Sequence, residues 1–161
     1  MARPDRIEKD DTYEGGCACG KVRFRMESLP LIVHCCHCHW CQRETGTSYA
    51  LNALIEADRV TLLQGKAEMT VIPSNSGKGQ KIWRCPECRI ALWSNYAGSG
   101  DKIDFVRVGT LDEAQRLPPD IHIFTASKQP WVVIPEGHVA VEEYYDLREH
   151  WPDESRARLP R

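Results

Sequence analysis

The 161-residue sequence holds no long apolar run, no internal repeat, no low-complexity tract and no excess of charge of one sign. Without an apolar run there is no membrane span, and the charged opening MARPDRIEKDD lacks the apolar segment of a signal peptide. Twenty-one Lys and Arg against 23 Asp and Glu leave a net charge of −2, so no general positive field draws in nucleic acid or an anionic membrane. Helical periodicity is scarce too. One turn after Cys38, ending at Gly46, and an amphipathic closing helix over residues 141–149 are the candidates. Hydrophobic residues make up 42% and charged residues 27%, which excludes a disordered chain and a coiled coil and suits one domain over residues 1–161. Residues 1–12 and 150–161 read as solvated tails.

What fills the chain is short strand pattern. Val22, Phe24 and Met26 alternate with Arg23 and Arg25, as in a strand with one buried face. Similar signals cover residues 31–34, 49–55, 60–63, 68–72, 81–84, 90–93, 103–108, 121–125 and 131–134, which predicts a mainly β fold. Residues 73–79, PSNSGKG, mark the turn of a hairpin.

Eight cysteines in three sets carry the chemistry. In a reducing cytoplasm, where the chain is expected, clustered cysteines are metal ligands or catalytic groups more often than disulfides. Cys85-Pro86-Glu87-Cys88 turns two sulfurs toward one metal, and Cys17 and Cys19 complete a four-thiolate structural zinc site if strand pairing brings the two turns together. Cys36, Cys38 and Cys41 aim three sulfurs at a second ion and leave a position open, the mark of a catalytic site. Three thiolates leave that zinc a poor acidifier of water but a good partner for an incoming thiol. The competing reading closes the site with His34, His37 or His39. Cys35 is the extra residue: in extended chain it faces away from Cys36 and belongs to the core or the rim.

Gly15-Gly16-Cys17-Ala18-Cys19-Gly20-Lys21-Val22-Arg23-Phe24, then Cys36-His37-Cys38 with Cys41, Arg43, Thr45 and Gly46, then Cys85-Pro86-Glu87-Cys88, resemble the glutathione-dependent formaldehyde-activating enzyme family, also called the CENP-V/GFA domain. The resemblance spans residues 13 to about 135. It implies an Mss4-like fold of coiled antiparallel sheets with little helix. It also implies two zinc ions per chain, a structural one on Cys17, Cys19, Cys85 and Cys88 and a catalytic one on Cys36, Cys38 and Cys41. The implied activity is of carbon–sulfur lyase type, adding glutathione to formaldehyde. Two departures stand out. Arg89 takes the place of a usual glycine, and Gln42 the place of a common arginine.

Arg43 is the candidate for a glutathione carboxylate and Trp40 for a pocket wall. His122 and Trp131 read as a strand histidine and a core aromatic, outside the site. The expected partners are glutathione or another small thiol and a small aldehyde, with a homo-oligomer left open. Two other classes compete: a non-catalytic zinc module for a protein or nucleic acid, which would need a basic patch, and a cysteine redox switch.

Overall fold

A computed structural model describes residues 11–161, so most of the expected N-terminal tail, residues 1–10, lies outside the described residues. The chain runs through β1 (Tyr13–Gly16), β2 (Arg23–Met26), β3 (Ile32–Cys36), α1 (His39–Thr45), β4 (Ala50–Glu56), β5 (Val60–Gln64), β6 (Glu68–Ile72), β7 (Gln80–Arg84), β8 (Ala91–Tyr96), β9 (Ile103–Arg107), β10 (Ile121–Ile123), β11 (Val139–Ala140), α2 (Leu147–His150) and α3 (Asp153–Ala157). It is mainly β, with short helices, and no described helix is long and apolar enough to cross a membrane. The described residues form two sheets, a three-stranded one in the order β1-β2-β5 and an eight-stranded one in the order β11-β10-β3-β4-β9-β8-β7-β6. All strand pairs among the described residues are antiparallel except those of β10, which runs parallel to β3 and β11.

β3 is buried along its whole length because both faces of the large sheet are covered. Val33, Ala53 and Ile55 turn to a core with Phe24, Met26, Leu92 and Val106. Ile32 and Leu54 turn to a second core with Leu31, Ile103, Ile121 and Trp151. Phe24 meets Trp93 edge-on at 5.7 Å and thereby docks the small sheet on the large one. Burying side chains such as Phe24 and Met26 contributes about 1.5–3 kcal/mol each.

Nine of the ten expected strand regions hold a strand, and Ile72 faces Gln80 across the expected 73–79 turn. Residues 131–134 do not form one. Pro130 and Pro135 bracket them, removing amides a ladder would use. Trp131, at 70% exposed, is no core aromatic, and its Nε1 donates to Ser48 Oγ at 3.3 Å.

The closing helix is also displaced. Val141 N donates to His122 O (2.9 Å) and Phe124 N to Glu143 O (2.8 Å), so residues 141–143 spend their backbone on the end of β10 instead of on a helix. Helix begins only after Asp146, whose side chain caps Arg148 N at 2.9 Å. Nor is 150–161 a solvated tail. Trp151 and Ser155 are buried, Ser155 Oγ donates to Leu31 O at 2.7 Å, and Arg158 grips Glu56 with two bonds of 2.9 and 2.7 Å.

Candidate metal centres

Each outer cysteine pair sits at a hairpin tip, Cys17 and Cys19 between β1 and β2, Cys85 and Cys88 between β7 and β8. Packing of the two sheets brings the tips together, and all four sulfurs lie within 4.8 Å of one another. Cys17 and Cys19 are 3.5 Å apart and Cys19 and Cys85 3.7 Å, close to the edge of about 3.7 Å that four thiolates make around zinc. The donor set therefore fits the ion. Gly16 allows the first tip to close, since a Cβ there would stand 2.4 Å from Val22 O. Backbone amides favour the charged sulfurs: Val22 N reaches Cys17 Sγ at 3.3 Å, and Ile90 and Cys19 amides pull the Cys88 thiol down to about 6. Arg89 follows Cys88 with φ 64°, the left-handed conformation that glycine takes without strain.

The middle set gathers where β3 hands over to α1. Cys36 ends the strand, Cys38 caps the helix by accepting from Cys41 N at 3.4 Å, and Cys41 faces inward one turn on. The helix stops at Gly46 with φ 67°, where the sequence placed its end. The three buried sulfurs lie within 4.8 Å of one another, which again fits a single ion. Hydrogen bonds from the Cys36 and Cys41 thiols hold Cys38 far below the ordinary thiol value, and contacts with Cys38 and Cys41 together with burial push Cys36 up.

None of the three candidate histidines joins this group among the described residues. His34 Nε2 is bonded to Tyr145 Oη at 2.5 Å, and burial holds its ring neutral, down to about 3. His39 is exposed. His37 leaves β3 on the opposite side and meets Cys35 and His122. Arg43 and Trp40, three residues apart, share the exposed side of α1, and Arg43 has no ion-pair partner among the described residues.

Other residues were not legible as site residues. Arg107 of β9 is buried, with its guanidinium bonded to Asn52 Oδ1; the Cys36 contact and, more weakly, the Arg107 charge favour ionisation of Cys41, but the Cys38 contact and burial outweigh them and push that thiol up to about 12. Gln42 proves to be a brace. Its Nε2 donates to His37 O at 2.8 Å and Ser127 O at 3.0 Å, and its Oε1 accepts from Gln129 at 2.7 Å. His122 is no isolated strand histidine, because its Nδ1 stands 3.1 Å from His37 Nε2. Gln42 stood out in the sequence as a departure, but its bracing role did not, and the places of Arg107 and His122 depend on strand neighbours remote in the chain.

Residues 12–127 match the glutathione-dependent formaldehyde-activating enzyme family. The chain belongs to this family. A Halomonas elongata protein provisionally named glutathione-dependent formaldehyde-activating enzyme is 31% identical over 129 residues, covering 75% of this chain and 80% of that protein. A crystal structure of a Rhodobacter sphaeroides protein shares 24% identity over 62% of this chain and 88% of that one, with a TM-score of 0.48. The formaldehyde-activating family match contains all eight cysteines, His122 and Arg107, whereas α2 and α3 lie beyond it.

Proposed function

We propose that the chain is a zinc-dependent enzyme of carbon–sulfur lyase type that joins glutathione, or another small thiol, to formaldehyde or a related small aldehyde. The observation that carries this reading is the convergence of Cys36, Cys38 and Cys41, three buried sulfurs joined by no imidazole or carboxylate among the described residues. Cys17, Cys19, Cys85 and Cys88 would hold a second, structural ion, giving two per chain. Cys36, Cys38 and Cys41 would hold the catalytic zinc, which would supply a site at which an incoming thiol ionises readily.

The chain's own residues then have two tasks. Arg107 places positive charge beside Cys41 and offsets the negative charge gathered there. Arg43, free of other ion pairs among the described residues, binds a carboxylate of the thiol substrate, and Trp40 at 37% exposed walls the entrance. Holding thiol and aldehyde together supplies much of the rate. In the addition, sulfur gives up its proton and bonds to the carbonyl carbon, the C=O π pair moves to oxygen, and oxygen takes a proton. Thiol and aldehyde become an S-hydroxyalkyl adduct with no redox partner.

Cobalt substitution tests the reading. Glutathione should strengthen the thiolate-to-Co²⁺ charge-transfer band, while S-methylglutathione, which has the same carboxylates and no ionisable thiol, should leave it nearly unchanged. Equal responses to both compounds would overturn selection for sulfur. No response to either, with no joint consumption of thiol and aldehyde, would leave a non-catalytic zinc module.

A further inference from the structure

Side chains alternate along β3, so Cys35 and Cys36 leave it on opposite faces. Cys36 follows Ile32 into the core that holds Cys38 and Cys41, while Val33 turns to the other core and Cys35 follows it by the same period of two. His37 continues that second series. β10 lies parallel to β3 in a register that pairs His122 with Cys35, which sets the imidazole on the face of Cys35 and His37.

We propose that Cys35, His37 and His122 form a third metal site, for a borderline divalent ion such as zinc, back to back across β3 with the Cys36, Cys38 and Cys41 group. Cys35 Sγ lies 3.5 Å from His37 Nε2, and His37 Nε2 lies 3.1 Å from His122 Nδ1. Around a tetrahedral zinc the sulfur–nitrogen edge is about 3.5 Å and the nitrogen–nitrogen edge about 3.3 Å. Two of the three edges thus already match a ligand set, and all three atoms lie within 4.8 Å of one another.

Hydrogen bonding alone does not account for the cluster. A neutral ring nitrogen carries one proton or one lone pair, so His37 Nε2 satisfies only one of its two neighbours. A cation at the centre satisfies all three at once: each imidazole gives a lone pair, and the Cys35 thiol releases its proton to solvent and binds as thiolate. The outer nitrogens, His37 Nδ1 and His122 Nε2, are buried without a protein partner among the described residues. No competing bond therefore holds either ring in the tautomer that would put a proton on the inner nitrogen. All three residues are under 9% exposed, and imidazole with thiolate selects zinc-like ions over magnesium or calcium.

Zinc X-ray absorption on the wild-type chain, combined with ion counting by native mass spectrometry, tests the proposal without depending on how variants fold. Imidazole scattering should appear beside sulfur, because the two cysteine groups alone give an all-sulfur protein shell. His122→Gln should lose one ion per chain and most of the imidazole signal. His122→Cys, which restores a ligand, should keep the ion and lose about half of that signal. Cys38→Ser should leave the His122-dependent ion in place, so that failure of the three-cysteine reading and failure of this one remain distinct. A wild-type spectrum without imidazole overturns the third site, as does an imidazole signal and ion count unchanged in His122→Gln.

Discussion

Arg89 shows how one residue can carry a strain that its surroundings impose. The turn after Cys88 needs φ 64°, and a side chain there costs about 1–2 kcal/mol. Arg89→Gly removes that cost, gives back about 0.5–1 kcal/mol to a freer unfolded chain, and loses the exposed 3.0 Å pair with Glu68. A net gain of about 0.5 kcal/mol is expected, or roughly 1–2 °C in melting temperature for a chain of this size. Arg89→Ala loses the same ion pair and keeps the strain, so it should melt below Arg89→Gly; the reverse order in calorimetry would show that the turn is not strained. The sequence made this position visible because a glycine was expected there. It also made the opposed directions of Cys35 and Cys36 visible, since period-two alternation is local. His122 and Arg107 were not visible, because their place depends on β10 and β9 lying beside β3 and β4, contacts that no local pattern encodes.

At the scale of elements, the legible parts were those whose signals sit inside the element. β2 and β4 show alternation, β6 and β7 flank a glycine-rich turn, and α1 runs between Cys38 and Gly46. β1, with two glycines in four residues, and the two-residue β11 have little pattern to read. The two cysteine-bearing tips differ from the β3–α1 corner in what they support. The tips tie the small sheet to the large one, and Cys85 is fully buried in the core between them. The corner is already fixed by the Gln42 bonds and by His37 N donating to Ile123 O at 3.0 Å. On the two-zinc reading, Cys85→Ser should therefore collapse the near-ultraviolet circular dichroism, because a structural ion of this kind is worth on the order of 10 kcal/mol of folding energy. Cys41→Ser should keep the signal and lose one ion. Equal collapse of both variants would deny this division of labour.

At the scale of the whole molecule, the C-terminal segment closes the fold over the strand that carries the middle cysteines. Ser155 Oγ holds Leu31 O just ahead of β3, and Trp151 Nε1 donates to Tyr145 Oη at 2.7 Å, which in turn meets His34 inside β3. Composition alone made this segment look solvated, because three arginines fall within its last six residues. What reverses that reading is a buried acid elsewhere. Glu56, at the end of β4, is 5% exposed, and a carboxylate so placed needs a cation and directed hydrogen bonds. Arg158 supplies both, and its Nη1 also donates to Leu29 O at 2.9 Å. Arg59, 3.5 Å from the same carboxylate, is the weaker partner. Arg158→Ala should cost about 3 kcal/mol, because it leaves a buried charge half-compensated. Arg158→Lys keeps the charge without the planar fork and should fall between. In Glu56→Gln the acid is already neutral, so adding Arg158→Ala should cost clearly less than it does in the wild-type chain. Urea denaturation of these proteins reads the differences. If Arg158→Ala costs the same in the Glu56→Gln background as in the wild-type chain, Arg158 holds the segment through Leu29 O and Ser28 Oγ and the buried pair with Glu56 contributes nothing to closing the fold.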